Sequence, residues 1–188
     1  GGPKGAPGQY YAKIRSGNDS TEVPFVILPD PNYKISQQEY DQQFAFLQTV
    51  ATKFNETQNA IKDVRALRTQ INSFVALQGK DVPKDIKLMG DSINKKLTAI
   101  EETLYQTKAK SSQDVLNFPI KLNDKLSGVF NTANSGNFAP SKQSRDVYAE
   151  LAGEIDKELN KLKTIKERDI PALNEAIRRQ SLPIIGVR

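Results

Sequence analysis

One stretch of sequence constrains this chain more than any other: the run from Ser36 to Gln78, which reads as a long amphipathic helix. Ser36-Gln37-Gln38-Glu39 has the form of a capping box, with Ser36 as N-cap and Glu39 at N3. Ile35 and Tyr40 take the positions of a hydrophobic staple around it. Behind the cap, apolar residues recur at Tyr40, Phe44, Leu47, Ala51 and Phe54, then at Ile61, Val64, Leu67, Ile71 and Phe74. The spacing is threes and fours, interrupted only at Gln58. Unbroken to Gln78, such a helix measures on the order of 65 Å. Its stripe has to be buried by other helices, so a long, thin bundle is expected.

The partners are visible downstream. Gly79-Lys80-Asp81-Val82-Pro83 stops the first helix and starts a second, with Ile86, Met89, Ile93, Leu97, Ile100 and Leu104 in a seven-residue rhythm. Residues 107 to 119 are irregular and end at Pro119. A shorter helix carries Ile120, Leu122, Leu126, Val129 and Phe130, and Asn131 to Pro140 reads as a loop. Ser141 or Ser144 opens the last helix, whose stripe runs through Val147, Tyr148, Leu151, Ile155, Leu159, Leu162, Ile165, Ile170, Leu173 and Ile177. Glu154/Lys157 and Glu158/Lys161 are read as i,i+3 pairs on its outer face. Pro171 should kink this helix or mark a restart, because its ring removes a hydrogen bond at a cost of about 3 kcal/mol. The tail Leu182-Pro183-Ile184-Ile185 is apolar and is expected to dock on the bundle.

Ahead of the helices, the Gly- and Pro-rich start reads as a linker. Gln9 to Ser16 then alternates, with Tyr11, Lys13 and Arg15 opposite Tyr10, Ala12 and Ile14. Gly17-Asn18-Asp19-Ser20 is turn chemistry, and Glu22 to Leu28 is β-branched and aromatic: a β-hairpin. Pro24 puts its strand at an edge or a bulge. Two strands alone are marginal in water. They pack on the helices or belong to a sheet whose remainder lies upstream, and the second is favoured. The expected fold is therefore mainly α: an elongated antiparallel three- to four-helix bundle (36–188) behind a linker and hairpin (1–35), the hairpin being the remnant of an upstream β-sandwich.

Composition narrows the chemistry. There is no cysteine, which excludes disulfides and thiolate metal sites, and no histidine, which removes the commonest general base and metal ligand. The formal charge of +5 does not point to nucleic acid, because basic and acidic residues alternate in sign along the chain. No apolar run approaches the ~20 residues that cross a bilayer, so no membrane insertion is expected.

Two segments carry a resemblance. Pro7-Gly8-Gln9-Tyr10, with Ile27-Leu28-Pro29-Asp30-Pro31 after the hairpin, resembles the ending of a β-sandwich domain. Ser112-Gln113-Asp114-Val115-Leu116-Asn117-Phe118-Pro119-Ile120-Lys121-Leu122-Asn123-Asp124-Lys125-Leu126 is similar to a "QDVLNYPIRLNDKL" stretch of the same proteins. Those are large secreted bacterial proteins, often from Bacteroidetes, with sortilin-like or BNR Asp-box β-propellers, commonly labelled glycosyl hydrolase. The resemblance implies that this chain is their C-terminal helical domain, and that it is secreted, periplasmic or at the cell surface. The hydrolase label belongs to the propeller: this chain has no Trp and no Asp box.

Asp114, Asn117, Asn123 and Asp124 form the densest polar cluster beside apolar residues. They suit a hard cation or a sugar hydroxyl, but Asp and Asn around the Pro119 break are better read as caps and backbone braces. The carboxylate pairs Glu101-Glu102 and Asp156/Glu158 are read as a solvated face rather than acid/base pairs. Tyr10 and Tyr11 are read as packing a sheet face rather than as a stacking platform. The expectation is a non-catalytic accessory module with no catalytic residue, no cofactor and no metal. Its partners are upstream domains of the same polypeptide, or else an unknown protein or glycan at the cell envelope.

Overall fold

The computed structural model describes residues 2–111 and 113–182. The fold is mainly α with an N-terminal antiparallel hairpin. Strands β1 (Gly8–Ser16) and β2 (Asp19–Ile27) are followed by helices α1 (Gln37–Gln78), α2 (Lys84–Leu104), α3 (Leu122–Asn134), α4 (Lys142–Thr164) and α5 (Ile170–Arg179). Short 3₁₀ turns occupy Gly79–Asp81 and Asp114–Leu116, and a π-helical turn, Ile165–Asp169, joins α4 to α5.

α1 runs unbroken because its ends are specified and its interior contains neither Gly nor Pro. At the start, the Ser36 N–H donates to Glu39 Oε2 at 2.9 Å and the Glu39 N–H returns to Ser36 Oγ at 3.3 Å. This is the reciprocal pairing that a capping box requires. At the end, Gly79 adopts φ +59°, the left-handed conformation that terminates helices. α4 opens at Ser141, whose Oγ accepts the Ser144 N–H at 3.1 Å.

The chain separates into two compact units. The first takes in the chain up to Lys53 together with Ser127–Tyr148. Its core contains Tyr40, Phe46, Leu47, Val50, Val129 and Ala133. Buried Gln43 donates from one amide nitrogen to the carbonyls of Ala133 and Gly136, each at 2.8 Å, tying α1 to the end of α3. Phe46 meets Tyr148 edge to face. α3 extends to Asn134, so Asn131–Asn134 are helical and not loop; burial of Val129 and Ala133, one turn apart, overrides the weak helix propensity of Asn and Thr. Ile120 stands outside the helix and is exposed.

The hairpin also belongs to this unit. Its turn is the two residues Gly17-Asn18, closed by Ser16 opposite Asp19, so Asp19 and Ser20 are already strand. Gly17 has φ +59° and Asn18 does not share the positive φ, the pattern of a type II′ turn. The register places Tyr10 opposite Phe25, Ala12 opposite Val23 and Ile14 opposite Thr21. One face is thereby apolar, and the other carries the Lys13–Glu22 ion pair.

The second unit comprises Phe54–Leu126 and the chain from Ala149 onward. Three rods supply most of its core. α1 and α2 are antiparallel: Arg65 and Arg68 reach Glu101, while Asn72, further along, bonds Asn94. α2 and α5 are antiparallel as well, with Lys96 on Asp169 and Asp85 on Gln180. Lys166 on Asp63 sets the third rod parallel to α1. Ile86, Leu97, Ile100, Leu104, Leu126 and Ile155 are among its most deeply buried side chains.

Pro171 is accommodated by a restart. The Ile170 N–H bonds the Ile165 carbonyl in the wide π pattern, and Pro171 falls in the first turn of α5, where a missing N–H costs little. The docking expected of the tail falls on residues from Pro183 onward, outside the described residues.

Candidate functional site

The four polar residues around Pro119 lie in two places. Asp114 and Asn117 share the 3₁₀ turn, where the Asn117 N–H bonds the Asp114 carbonyl at 3.0 Å. The Asp114 carboxylate accepts the backbone N–H groups of Lys110 and Ser111 and the Ser111 hydroxyl. Those bonds, the Lys110 amide first, hold its carboxyl below the ordinary value. Asn117 is exposed. Asn123 and Asp124 sit in the first turn of α3, Asn123 buried and Asp124 partly so. Among the described residues no hydrogen bond joins the two pairs, and no group of three acidic residues is arranged to hold a metal ion.

Two carboxylates assigned to a solvated face are in fact buried. Glu101 is 4% exposed and Glu158 7%. Glu158 takes a seam position one turn after Ile155 and one before Leu162, and its carboxylate accepts Lys161 Nζ at 2.7 Å. Leu159, which the periodicity put in the stripe, is only partly buried. Glu101 lies between α1 and α2, accepting Arg65 Nε at 2.6 Å and Arg68 Nη1 at 2.7 Å. Arg65 also stacks over the Tyr105 ring at 5.0 Å. Burial is the largest single influence on Glu101 and pushes its pKa up. The two guanidinium bonds and their charges outweigh it, and the group ends below the ordinary range. Sequence reading missed this cluster, although Arg65, Arg68 and Glu101 all border apolar seam residues, the one signal available.

Among the described residues, the carboxyls that depart clearly from their ordinary acidity all move downward. Glu39 is lowered by its bonds from Ser36, and Asp169 by its bond from Lys96 and then by Arg168, against burial. A general acid at neutral pH needs the opposite shift. These groups are anchors: each carboxylate closes a helix cap, ties a loop or joins two rods.

Among the described residues, two apolar surfaces stand out. The hairpin face is open to solvent along its length, with Ile14, Val23 and Phe25 roughly half exposed. In the second unit, a cleft of about 450 Å³ lies among α1, α2 and α5. Ile71, Phe74, Ile86, Leu173 and Ile177 line it, and Gln70 and Asn174 also contribute. Gly90 forms part of it: a Cβ there would meet Ile71 Cγ2 at 3.1 Å, so the glycine lets Ile71 approach the α2 backbone.

Compared with known protein families, curated proteins and solved structures, the chain matches none.

Proposed function

We propose that this chain is a non-catalytic helical accessory module of a secreted multidomain β-propeller protein, joined to a neighbouring β-domain of the same polypeptide through its hairpin. The observation that carries the reading is the hairpin face. Tyr10, Ala12, Ile14, Val23 and Phe25 are brought into register on one side, and the helices leave most of it uncovered. A face of that kind suits packing against another sheet, as in a sandwich. The segment Gln113–Leu126, similar to the C-terminal domains of such proteins, supports the secreted propeller context. Support for a non-catalytic role comes from the Glu101, Asp169 and Asp114 carboxylates, which are fixed to cationic or amide partners rather than left poised in a pocket.

The test is Ile14→Lys with Val23→Lys in the full-length polypeptide. The double variant should leave the module folded, since exposed positions shift stability by about 0.5 kcal/mol or less. It should release the module from its neighbour, seen as new protease cleavage between the two. Equal protection with and without the added charges overturns the reading, as does glycosidase activity from this chain alone. A second reading, capture of a separate protein or glycan at the cell envelope, rests on the same uncovered face. It gains if the unsubstituted module is already free of its neighbour.

A further inference from the structure

We propose that the first unit holds a binding site for one ring of a neutral pyranose sugar, in the pocket between the leading segment, the end of β2 and the first turns of α1. The site is carried by its own geometry and draws on neither the hairpin face nor the propeller context. The pocket measures about 160 Å³. Its walls are residues 4–7 and 27–30, Tyr40 and Gln43 of α1, and Asn137 beyond α3, all within the first unit. A cavity of roughly 150 Å³ takes a benzene-sized molecule, so there is room for one six-membered ring. The outer wall is held in place without a ligand. The Tyr10 hydroxyl donates to the Ala6 carbonyl at 2.7 Å, and Gln37 Nε2 donates to that of Pro7 at 3.0 Å. At Gly5 a Cβ would stand 3.0 Å from Ile27 Cδ1, so the glycine lets this wall lie close against β2.

Tyr40 supplies the demand for a ligand. It is 8% exposed, and its buried hydroxyl has no hydrogen-bond partner among the described residues. A buried polar group left without a partner is uncommon and costly. Gln43, also buried, follows one turn later on the same face of α1. Its Nε2 is taken up by the carbonyls of Ala133 and Gly136, which leaves Oε1 as an acceptor with no donor among the described residues. Asp30 accepts both Asn32 N–H groups on Oδ1, leaving Oδ2 free. The side chains of Asn137 and Lys4 make no hydrogen bond among the described residues. The two charged groups are of opposite sign, so the pocket favours neither an anion nor a cation. Tyr40 and Gln43 are neutral, and a charge buried beside them would go uncompensated. A hydroxyl both donates and accepts, so it satisfies a phenol, an amide or a carboxylate alike. Several hydroxyls on one ring match this set, and Ile27, Leu28 and Pro29 offer apolar surface to the ring's C–H groups.

One ring held by a few hydrogen bonds is expected to bind in the millimolar range. Saturation-transfer NMR on the full chain, with glucose, galactose and mannose in turn, should show transfer to at least one of them. In nitrogen-labelled protein the amide signals of Gly5, Ala6 and Asn137 should be the ones that move as that sugar is added. Tyr40→Phe deletes only the unpartnered hydroxyl. It should weaken the titrated Kd about three- to tenfold, the loss of one hydrogen bond, with no fall in melting temperature. Asn137→Ala, at a partly buried position, should weaken it in the same way. No transfer to any of the three sugars overturns the proposal and leaves ordered water as the partner of Tyr40. An unchanged Kd in both variants overturns it too, as do amide shifts confined to the hairpin face at Ile14 and Val23. Transfer to glycerol as strong as to the sugars also overturns it, as the mark of an adventitious additive only.

Discussion

The Arg65–Glu101–Arg68 cluster makes an asymmetric prediction. Its carboxylate has a side chain only 6% exposed, whereas the side chain of Arg65 is about half exposed and that of Arg68 roughly a quarter, with Arg68 Nε and Nη2 themselves buried. Removing both cations by Arg65→Ala with Arg68→Ala strands a charge that water cannot reach. Leaving one partner of a buried pair uncompensated costs about 3–5 kcal/mol. Removing the charge instead, by Glu101→Gln, leaves the half-exposed Arg65 able to rehydrate and an amide oxygen that still accepts a bond, with only the more buried Arg68 weakened, so about 1–3 kcal/mol is expected. The two variants should be separated by urea unfolding at pH 7, with the double-arginine variant the weaker. Its deficit should also depend on pH. Without the guanidinium groups, burial alone acts on Glu101 and raises its folded pKa above the unfolded value. A group raised in that way is least harmful when protonated, so the deficit should shrink as the pH falls through the ordinary glutamate range and be largest at neutrality. A deficit that does not vary with pH, or a Glu101→Gln variant as damaged as the double-arginine one, refutes the reasoning.

The unaltered protein should behave in the opposite sense. Glu101 and Asp169 have folded pKa values below their unfolded ones, so their stabilisation is present above the ordinary carboxylate range and is lost as the pH falls through the folded values; melting temperature should hold from pH 7 to about 5 and decline below that. Ser141→Ala should cost about 1 kcal/mol in chemical unfolding, whereas Ser144→Ala should cost a few tenths, because only Ser141 accepts an amide proton at the helix start. Leu97→Ala, at a fully buried site, should cost about 2–5 kcal/mol by the same assay. Gly90→Ala should be neutral or gain up to about 1 kcal/mol, since helix propensity improves and Ile71 has the cleft to move into; a loss of similar size shows that Ile71 cannot yield.

What could be read from the chain beforehand was what neighbouring residues decide among themselves. The Ser36–Glu39 cap, the Gly79 stop and the uninterrupted stripe between them are local, and α1 lies where they place it. The hairpin was legible from alternation, and its turn differs by two residues because Gly17 alone supplies the positive φ that a two-residue II′ loop needs. Asn131–Asn134 looked like loop by composition and became helix through the burial of Val129 and Ala133, which no window of sequence reveals. The buried glutamates failed for the same reason. Glu101 finds its cations more than thirty positions earlier in the chain, and charge alone gives no hint of that meeting. The division of α1, α3 and α4 between two units is likewise a property of contacts made across the sequence.

Pro24 gives the two outer borders of the hairpin different characters. In a two-residue turn closed by Ser16 and Asp19, pairs two residues apart exchange hydrogen bonds, and Tyr11 opposite Pro24 falls between them. The proline nitrogen therefore faces away from β1, so the outer border of β2 lacks a donor midway along its length. β1 keeps a complete outward row at Gln9, Tyr11, Lys13 and Arg15. A third strand, from a neighbouring domain or from another molecule, meets an intact template only beside β1, and the cationic side chains there select against basic newcomers.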